Sequence, residues 1–391
     1  MASYGGVILV LLINFFYHTM NQMFVPTLPL YITQLGGGEV VVGVLVGLLS
    51  LGAVLGKVYF GKLATRTSNL LVLRVGLVVA TGVLFLYLPF WGFGFLALVR
   101  LLQSIGLAGF ITGGQGLLAA YSKPSNRGLF FGIFAATIGL GMMVGPLFGS
   151  YLMENLGFSA LFLGASAVVG VAMLLSFLIP SEPKETRANR VDYEPHPPWQ
   201  NRSLVIISIS MFFGATVQGA TMSMLTLHAL DVGITNSALF FALFALMFTV
   251  GGAVSGHLSD KWGRGALVIP GFFALIIGLL ALANLQNMTT LVIGGLCTGL
   301  GLGFVNAVLL AMVPDYSVNS EDMPNDLAFF SNAFDAGVVM GSLGLGWVAA
   351  RSFNTFWLVV AGLNVVGLLI FARHNPEKQH QSVQQEVGQK S

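Results

Sequence analysis

Long apolar runs separated by short polar segments extend along almost the entire chain. Twelve of them hold about as many residues as a membrane-crossing helix needs, which is roughly 20 mostly apolar residues. The runs cover residues 6–30, 40–61, 70–88, 92–121, 128–153, 160–179, 204–229, 237–258, 266–285, 290–313, 328–349 and 355–372. The pattern predicts an all-α membrane protein with 12 transmembrane helices.

The second half of the chain repeats the first half. The polar segment that begins at Gly61, after the second run, is matched 195 residues later by the segment that begins at Gly256. Other pairs share nearly the same offset: Phe15 with Phe212, Gly141 with Gly337, and Gly145 with Gly341. A duplicated helical bundle can enclose a site between its halves and open it on alternate sides. The repeat therefore favours a transporter.

The repeat also predicts how the chain is divided. Residues 1–179 and 204–373 are expected to form two pseudo-symmetric six-helix bundles. Residues 180–203 contain several prolines and mixed charges, which favour a cytoplasmic loop between the bundles. Residues 374–391 are expected to form a cytoplasmic tail.

The composition agrees with a protein that lies in lipid. Hydrophobic residues make up 55% of the chain and charged residues 8%, whereas soluble domains contain about 25% charged residues. The net charge of +2 is too small to indicate a nucleic acid partner. The single cysteine, Cys297, excludes an intrachain disulfide. The first run is too long for a signal-peptide core, so a retained helix is expected.

Lysine and arginine fall almost entirely on one side of the predicted membrane. With the N-terminus in the cytoplasm, 15 of the 17 lie in inner loops or adjoining helix ends, as the positive-inside rule requires. Arg351 falls outside, and Arg100 lies within a helix. We expect a multi-pass protein of a bacterial-type plasma (inner) membrane with both termini cytoplasmic.

Short motifs occupy matching places in this array of helices. The loop after the eighth run carries a Gly-rich basic motif built from Gly256, Asp260, Lys261 and Arg264. Its copy after the second run is degraded: Gly61 is retained, Thr65 stands in place of the acid, and Arg66 stands in place of Lys261, with Lys62 beside Gly61. The fourth run contains Arg100-x-x-Gln103-x-x-Gly106, and the fifth contains Gly141-x-x-x-Gly145-Pro146-x-x-Gly149.

With these motifs, the chain resembles the major facilitator superfamily along almost its whole length, and in particular its 12-helix drug:proton antiporter-like exporters. The resemblance implies the major facilitator fold, transport by alternating access and a monomer. It also links the glycine–proline motif of the fifth helix to antiport. On physical grounds alone, the same glycines form a smooth stripe for helix packing, and that interpretation stays open.

Three ionisable residues lie deep in predicted helices: His18, Arg100 and Asp335. Such groups cost about 2.5–3.5 kcal/mol or more at mid-membrane, so a functional role is the default hypothesis. We expect Asp335, together with His18, to carry a coupling proton, because surroundings shift carboxyl pKa values and histidine titrates near neutral pH. By resemblance, Arg100 tunes a nearby acid. The alternative is a network that only locks helices together.

Polar faces predict the wall of a central substrate cavity. Asn14, His18, Asn21 and Gln22 share one face of the first helix. The remaining predicted wall residues are Gln103, Gln218, Thr221, Met222 and Asn332. This mix of weak hydrogen-bonding groups and soft apolar surface suits an amphipathic ligand, although ordinary helix packing explains Met222 equally well.

Opposite charges predict a gate on the cytoplasmic side. The loop after the tenth run contains Asp322 and Asp326, and the loop after the second contains Lys62 and Arg66. We expect a charge-swapped latch between these pairs. In the other half, Asp260 is expected to meet Arg127 or the N-terminus of the fifth helix. The alternative is solvated charges, since exposed pairs contribute only about 0–1 kcal/mol.

Together these features predict proton-coupled export of a small amphipathic or drug-like molecule. The alternatives are an exporter of a dedicated polar metabolite, such as a metallophore or peptide, and a proton-coupled nutrient importer. The sequence contains no phosphate-binding loop, metal-ligand set or nucleophile–base pair. We therefore expect no enzyme activity, no metal and no cofactor, and the expected partners are the substrate, protons and the lipid bilayer.

Overall fold

Helices form the whole of the observed fold. The computed structural model describes residues 4–122, 127–181, 196–319 and 322–374, and these ranges contain helices and connecting turns without a strand. A chain in lipid must satisfy its backbone hydrogen bonds internally, and a helix does so within one segment. The prediction of an all-α membrane fold is confirmed.

The N-terminal half forms five helices: α1 Tyr4–Gln34, α2 Glu39–Arg66, α3 Asn69–Phe85, α4 Phe93–Tyr121 and α5 Arg127–Ser176. The last of these is 50 residues long and contains a break at Gly157, whose φ is 82°. Glycine adopts this conformation without the steric cost of a Cβ atom. The chain therefore changes direction within α5 without a loop.

The C-terminal half forms seven helices: α6 Arg202–Asp231, α7 Ala238–Trp262, α8 Arg264–Ala283, α9 Met288–Tyr316, α10 Met323–Val339, α11 Gly346–Ala349 and α12 Phe353–His374. A short 3-10 helix, Pro198–Gln200, precedes α6. A π-helix, Met340–Gly344, joins α10 to α11.

Each predicted span coincides with a helix or part of one, although the helices do not match the twelve spans one for one. Within the described ranges, ten helices are long and apolar enough to cross a membrane, and α3 is shorter, with 17 residues. The fifth and sixth predicted spans correspond to the two helical parts of α5, which meet at the non-helical residue Gly157. The eleventh span is divided among α10, the π-helix and α11.

Packing divides the chain into two compact units. The first unit comprises Met1–Val191, Leu225–Leu227 and Asn236–Ala242, and the second comprises Asp192–Met224, His228–Thr235 and Leu243–Ser391. The boundaries at residues 179 and 204 stay predictions.

The sequence repeat reappears in the helix packing inside each unit. Gly76 of α3 faces Gly106 of α4, and a Cβ atom added to Gly76 would lie 2.9 Å from the Gly106 carbonyl oxygen. Gly271 of α8 faces Gly301 of α9, with the corresponding distance 3.2 Å. Both members of the second pair lie 195 residues after those of the first. The two units thus share one way of bringing neighbouring helices together.

Polar side chains set several helix ends. Asn201 accepts backbone N–H bonds at the start of α6, and Asn287 forms a capping box with Thr290 at the start of α9. At the end of α5, the Arg74 guanidinium donates twice to the Ser176 carbonyl oxygen, at 3.3 and 3.0 Å. These bonds satisfy backbone groups that the helix itself leaves unpaired.

Candidate functional site

Asn14 lies between α1 and α5 of the first unit. Its side chain is fully buried, and Nδ2 donates to the Phe134 carbonyl oxygen at 3.0 Å and to Oγ1 of Thr137 at 2.8 Å. A buried amide in apolar surroundings needs such partners. Asn14 therefore bonds α1 to α5 in this structure, and its predicted place on the cavity wall stays a prediction.

Three glycines of α5 lie directly on α1: Gly141, Gly145 and Gly149. Cβ atoms added to them would lie 2.9 Å from Cβ of His18, 2.7 Å from Cβ of Gln22 and 2.8 Å from Cα of Met23, respectively. These distances are too short for ordinary carbon contacts. Pro146, also buried, lies within the same stretch of α5. The stripe gives the close helix approach that small residues permit.

His18 is half-buried on α1, beside the first of these glycines. Its Nδ1 lies 3.0 Å from the Asn14 carbonyl oxygen. Because a carbonyl oxygen only accepts, Nδ1 carries the hydrogen of the neutral ring, and Nε2 remains its basic nitrogen. The half-buried Asn21 and the buried Gln22 continue the same helix face.

Arg100 is 3% exposed on α4, and its polar contacts are with neutral groups. Its Nε donates to the Leu45 carbonyl oxygen of α2 at 2.8 Å, and a terminal nitrogen donates to Oε1 of Gln103 at 2.9 Å. No carboxylate among the described residues forms an ion pair with it. A buried charge is tolerated only when its hydrogen-bonding groups are well satisfied. The bond to the Leu45 carbonyl oxygen also joins α4 to α2.

Tyr87, between α3 and α4, completes this network and was not indicated by the sequence pattern. Its hydroxyl donates to Oε1 of Gln103 at 2.6 Å, and its carbonyl oxygen accepts from the Tyr31 hydroxyl at 2.9 Å. A phenol keeps its proton at neutral pH, so the Tyr87 hydroxyl acts here as a donor. Tyr87 lies in a connecting segment and does not share a helix face with Arg100, so helical periodicity could not indicate their contact.

Asp335 is half-buried near the middle of α10 in the second unit. The backbone leaves the α-helical path soon afterwards, at the π-helix Met340–Gly344. Single π-helical turns inside helices occur frequently at functional sites. Asn332, predicted on the cavity wall, is exposed one turn before Asp335.

The predicted wall residues of α6 differ in exposure. Thr221 is buried, and its hydroxyl donates to the Gln218 carbonyl oxygen at 3.1 Å. Gln218 and Met222 are half-buried. The threonine hydroxyl is thus engaged by its own helix, while the other two side chains keep accessible surface.

Two buried polar contacts in the second unit were not indicated by the sequence pattern. Asn364 of α12 donates to Oγ1 of Thr216 on α6 at 3.2 Å. Trp357 Nε1 donates to Nδ1 of His228 at 2.9 Å, and the His228 ring stacks on Phe353 at 4.9 Å. In the sequence, these polar residues are single positions inside apolar runs. Averaging the hydropathy over a window hides them.

Asp322 and Asp326 are buried, although the sequence placed them in an acidic loop. They are 1% and 3% exposed; Asp322 directly precedes α10, and Asp326 lies in its first turn. One Asp322 oxygen accepts the His196 backbone N–H at 2.8 Å, and the other lies 3.3 Å from His196 Nδ1. These two carboxylates are therefore not solvated surface charges.

Lys62 and Arg66 are exposed at the end of α2, near the half-buried Gly61. They belong to the first unit, whereas Asp322 and Asp326 belong to the second. The charge-swapped latch between them stays a prediction.

Arg264, at the start of α8, bonds to the Ala311 carbonyl oxygen and forms an ion pair with Asp315. In the degraded copy, Asn69 stands in the place of Arg264, and an added Cβ at Gly116 would lie 3.0 Å from Nδ2 of Asn69. Asn69 and Gly116 each precede their counterparts by 195 residues. In each unit, the residue at this motif position therefore lies at the contact between the third and fourth helices of the repeat.

Several predicted gate residues lie outside the described side chains: Gly256, Asp260, Lys261 and Arg127. Their backbones belong to α7 and α5, and their predicted contacts stay predictions. In the described ranges, no three His, Cys, Asp or Glu side chains come together as a metal site would require.

Comparison with known proteins relates the chain to membrane transporters. It is 26% identical over 348 residues to the multi-drug resistance efflux pump PmrA of Streptococcus pneumoniae, covering 81% of this chain and 84% of the pump. It is 24% identical over 379 residues to the MFS-type transporter SLC18B1 of Mus musculus, covering 87% of this chain and 80% of that protein.

A solved structure shares the fold. The nucleoside transporter NupG superposes with a TM-score of 0.78 and 17% identity, over 94% of this chain and 98% of NupG. The family model of the Major Facilitator Superfamily matches twice, over residues 10–205 and 204–390. The chain is therefore a transporter and not an enzyme, and it belongs to the major facilitator superfamily.

Proposed function

We propose that this transporter exports small amphipathic or drug-like molecules and couples their export to protons that enter in exchange. The observation that carries the proposal is the half-buried Asp335 inside a predicted membrane span. An intramembrane carboxylate is expensive in lipid and is most readily explained by a role in transport. The similarity to a multidrug efflux pump over 81% of the chain supports export.

Coupling requires that the proton and the substrate favour different conformations of the transporter. Asp335 is suited to this because a carboxyl group gains or loses a proton as its surroundings change. His18 supplies a second titratable group, with Nε2 as its basic nitrogen when neutral. Arg100 supplies a fixed charge, and its proposed role is to tune the pKa of a nearby acid.

Side chains that keep accessible surface support the proposed substrate class. Met222 and Gln218 of α6 are half-buried, as are His18 and Asn21 of α1. Soft apolar surface with a few hydrogen-bonding groups suits ligands that are partly apolar and partly polar. We further propose a monomer in a bacterial-type plasma membrane, with both termini in the cytoplasm.

A second candidate is the export of a dedicated polar anion. Arg100 favours it, because the described residues offer this buried charge no carboxylate. An anionic substrate would supply the missing counter-charge. Import of a nutrient with protons is the third candidate, and the antiporter-type motif around Pro146 disfavours it.

Transport into proteoliposomes with an imposed pH gradient tests these candidates. The panel should contain cationic, neutral and anionic amphipathic compounds together with polar anions. We expect the gradient to accelerate transport of amphipathic cations or neutral compounds, and Asp335→Asn to reduce the rate to that seen without a gradient. Counterflow of substrate without a gradient should persist in this variant.

Asp231→Asn provides the matched control, because this carboxylate is exposed at the end of α6. It should keep the full effect of the gradient. Gradient-driven transport that survives Asp335→Asn would exclude Asp335 as proton carrier. Transport confined to polar anions would favour the second candidate.

A further inference from the structure

The second unit contains a cavity of about 160 Å³ beside the start of α10. Its wall combines apolar surface from Pro197, Pro198, Leu204 and Val318 with the carboxylates of Asp322 and Asp326. A cavity of this size admits a small molecule or the end of a side chain.

The cavity is built by fixed contacts around it. His196 bonds to Asp322 through its backbone N–H, and its carbonyl oxygen accepts from Nδ2 of Asn325 at 3.4 Å. Asn201 caps α6 and donates to the carbonyl oxygen of Tyr316 at the end of α9 at 2.7 Å. The segment before α6 is thus tied to the ends of α9 and α10.

Asp326 is a charged group in this wall that these contacts leave without a side-chain partner among the described residues. Its side chain is 3% exposed, lines the cavity, and makes no hydrogen bond or ion pair with any described residue. Its position in the first turn of α10 offers a favourable dipole. That effect is small compared with the cost of desolvating a carboxylate. A cation within the cavity would supply the counter-charge that the described residues do not offer this carboxylate.

We propose that this cavity binds a compact organic cation, an ammonium or guanidinium group with a short apolar stem. The Asp326 carboxylate would accept the N–H groups, and the proline, leucine and valine surface would cover the stem. Such a ligand would bridge the segment before α6 and α10. The inference does not depend on which substrate is transported or in which direction.

Binding to the full-length purified protein tests the proposal, with n-butylammonium as the probe and thermal unfolding as the readout. A ligand that binds only the folded protein raises the melting temperature in a saturable way. We expect such a rise with n-butylammonium and none with neutral 1-butanol at equal concentration. Asp326→Asn should weaken the apparent affinity roughly tenfold, as expected when a charged partner is removed.

Two further variants separate this result from misfolding. Asp231→Asn, far along the chain and exposed, should bind like the wild type. Val318→Trp should obstruct the cavity while leaving Asp326 intact, since Val318 is 60% exposed at its wall. Loss of binding in Val318→Trp with an unchanged melting temperature in the absence of probe would support a cavity site. Equal affinity in the wild type and Asp326→Asn would overturn the proposal.

The cation can come from solution or from the chain's own Arg66, and one variant distinguishes these sources. If a free ligand is the natural occupant, Arg66→Ala leaves the affinity for n-butylammonium unchanged. If the Arg66 guanidinium competes for Asp326, the same variant raises that affinity several-fold. A melting temperature that rises equally with 1-butanol would show only apolar binding and would also overturn the proposal.

Discussion

Arg100 shows how one buried charge is accommodated in an apolar bundle. Its guanidinium is bonded to a backbone carbonyl oxygen of α2 and to Gln103, and Gln103 also accepts from Tyr87. Leaving a buried charge short of a partner costs more than deleting a neutral donor. The members of this network should therefore contribute unequally to stability.

Gln103→Leu should lower the free energy of unfolding by about 3 kcal/mol, because it removes a partner of the buried guanidinium. Tyr87→Phe should lower it by about 1 kcal/mol, since Gln103 Oε1 keeps its bond from Arg100. Unfolding of the purified protein in a denaturing detergent measures both. Tyr59→Phe, at an exposed tyrosine of α2, is the control and should have no effect. Equal losses at positions 87 and 103 would contradict the proposed hierarchy.

At the scale of elements, glycines decide which helices come close together. Gly145 of α5 and Gly341 of the π-helix make equivalent contacts in the two halves of the repeat. A Cβ atom added to Gly145 would meet the backbone of Thr19, and one added to Gly341 would meet the backbone of Thr216. The threonines are 197 residues apart and the glycines 196. Each unit thus uses its glycine stripe to bring two polar-bearing helices into contact.

Gly145→Ala should destabilise the first unit by about 1–3 kcal/mol, the usual cost of overpacking. The new methyl group would lie 2.7 Å from Cβ of Gln22, so α1 and α5 would have to separate. Gly132→Ala is the matched control on the same helix, because an added Cβ there meets nothing within 4 Å. It should be neutral or stabilising by up to about 1 kcal/mol, since alanine favours helix. Thermal unfolding compares the two, and similar losses would refute the packing explanation.

At the scale of the whole molecule, transport requires two units that change their relation during a cycle. The predicted latch is the part of the sequence analysis that concerns this change directly. It pairs exposed cations of the first unit, Lys62 and Arg66, with acids of the second unit that are buried. A carboxylate withdrawn from water should bind such a cation more strongly than a surface acid would.

A double-mutant cycle between Arg66→Gln and Asp326→Asn tests the latch. We expect a coupling free energy of about 0.5–1 kcal/mol or more between these two residues in the outward-open population. Partly exposed ion pairs usually give values in this range. Labelling of an introduced cysteine on a Cys297→Ser background measures that population. Arg66→Gln with Asp315→Asn is the control pair, because Asp315 is already paired with Arg264. Zero coupling in the first pair would eliminate the latch.

The sequence by itself determined the all-α membrane class, the two-fold repeat and the positions of most helices. It could do so because lipid excludes unpaired backbone and demands long apolar runs, which leave a direct imprint on composition. The spacing of glycines likewise indicated which face of α5 is smooth. Helical periodicity also grouped Asn14 with His18 on one face of α1.

Only the tertiary structure decided which neighbour each face meets. It showed that Asn14 bonds to α5, that Tyr87 joins the Arg100 network from a connecting segment, and that Asp326 lines a cavity together with the segment before α6. It also showed that Gly157 replaces a loop. These features depend on contacts between residues distant in the chain, and local periodicity reports the direction of a side chain but not its partner.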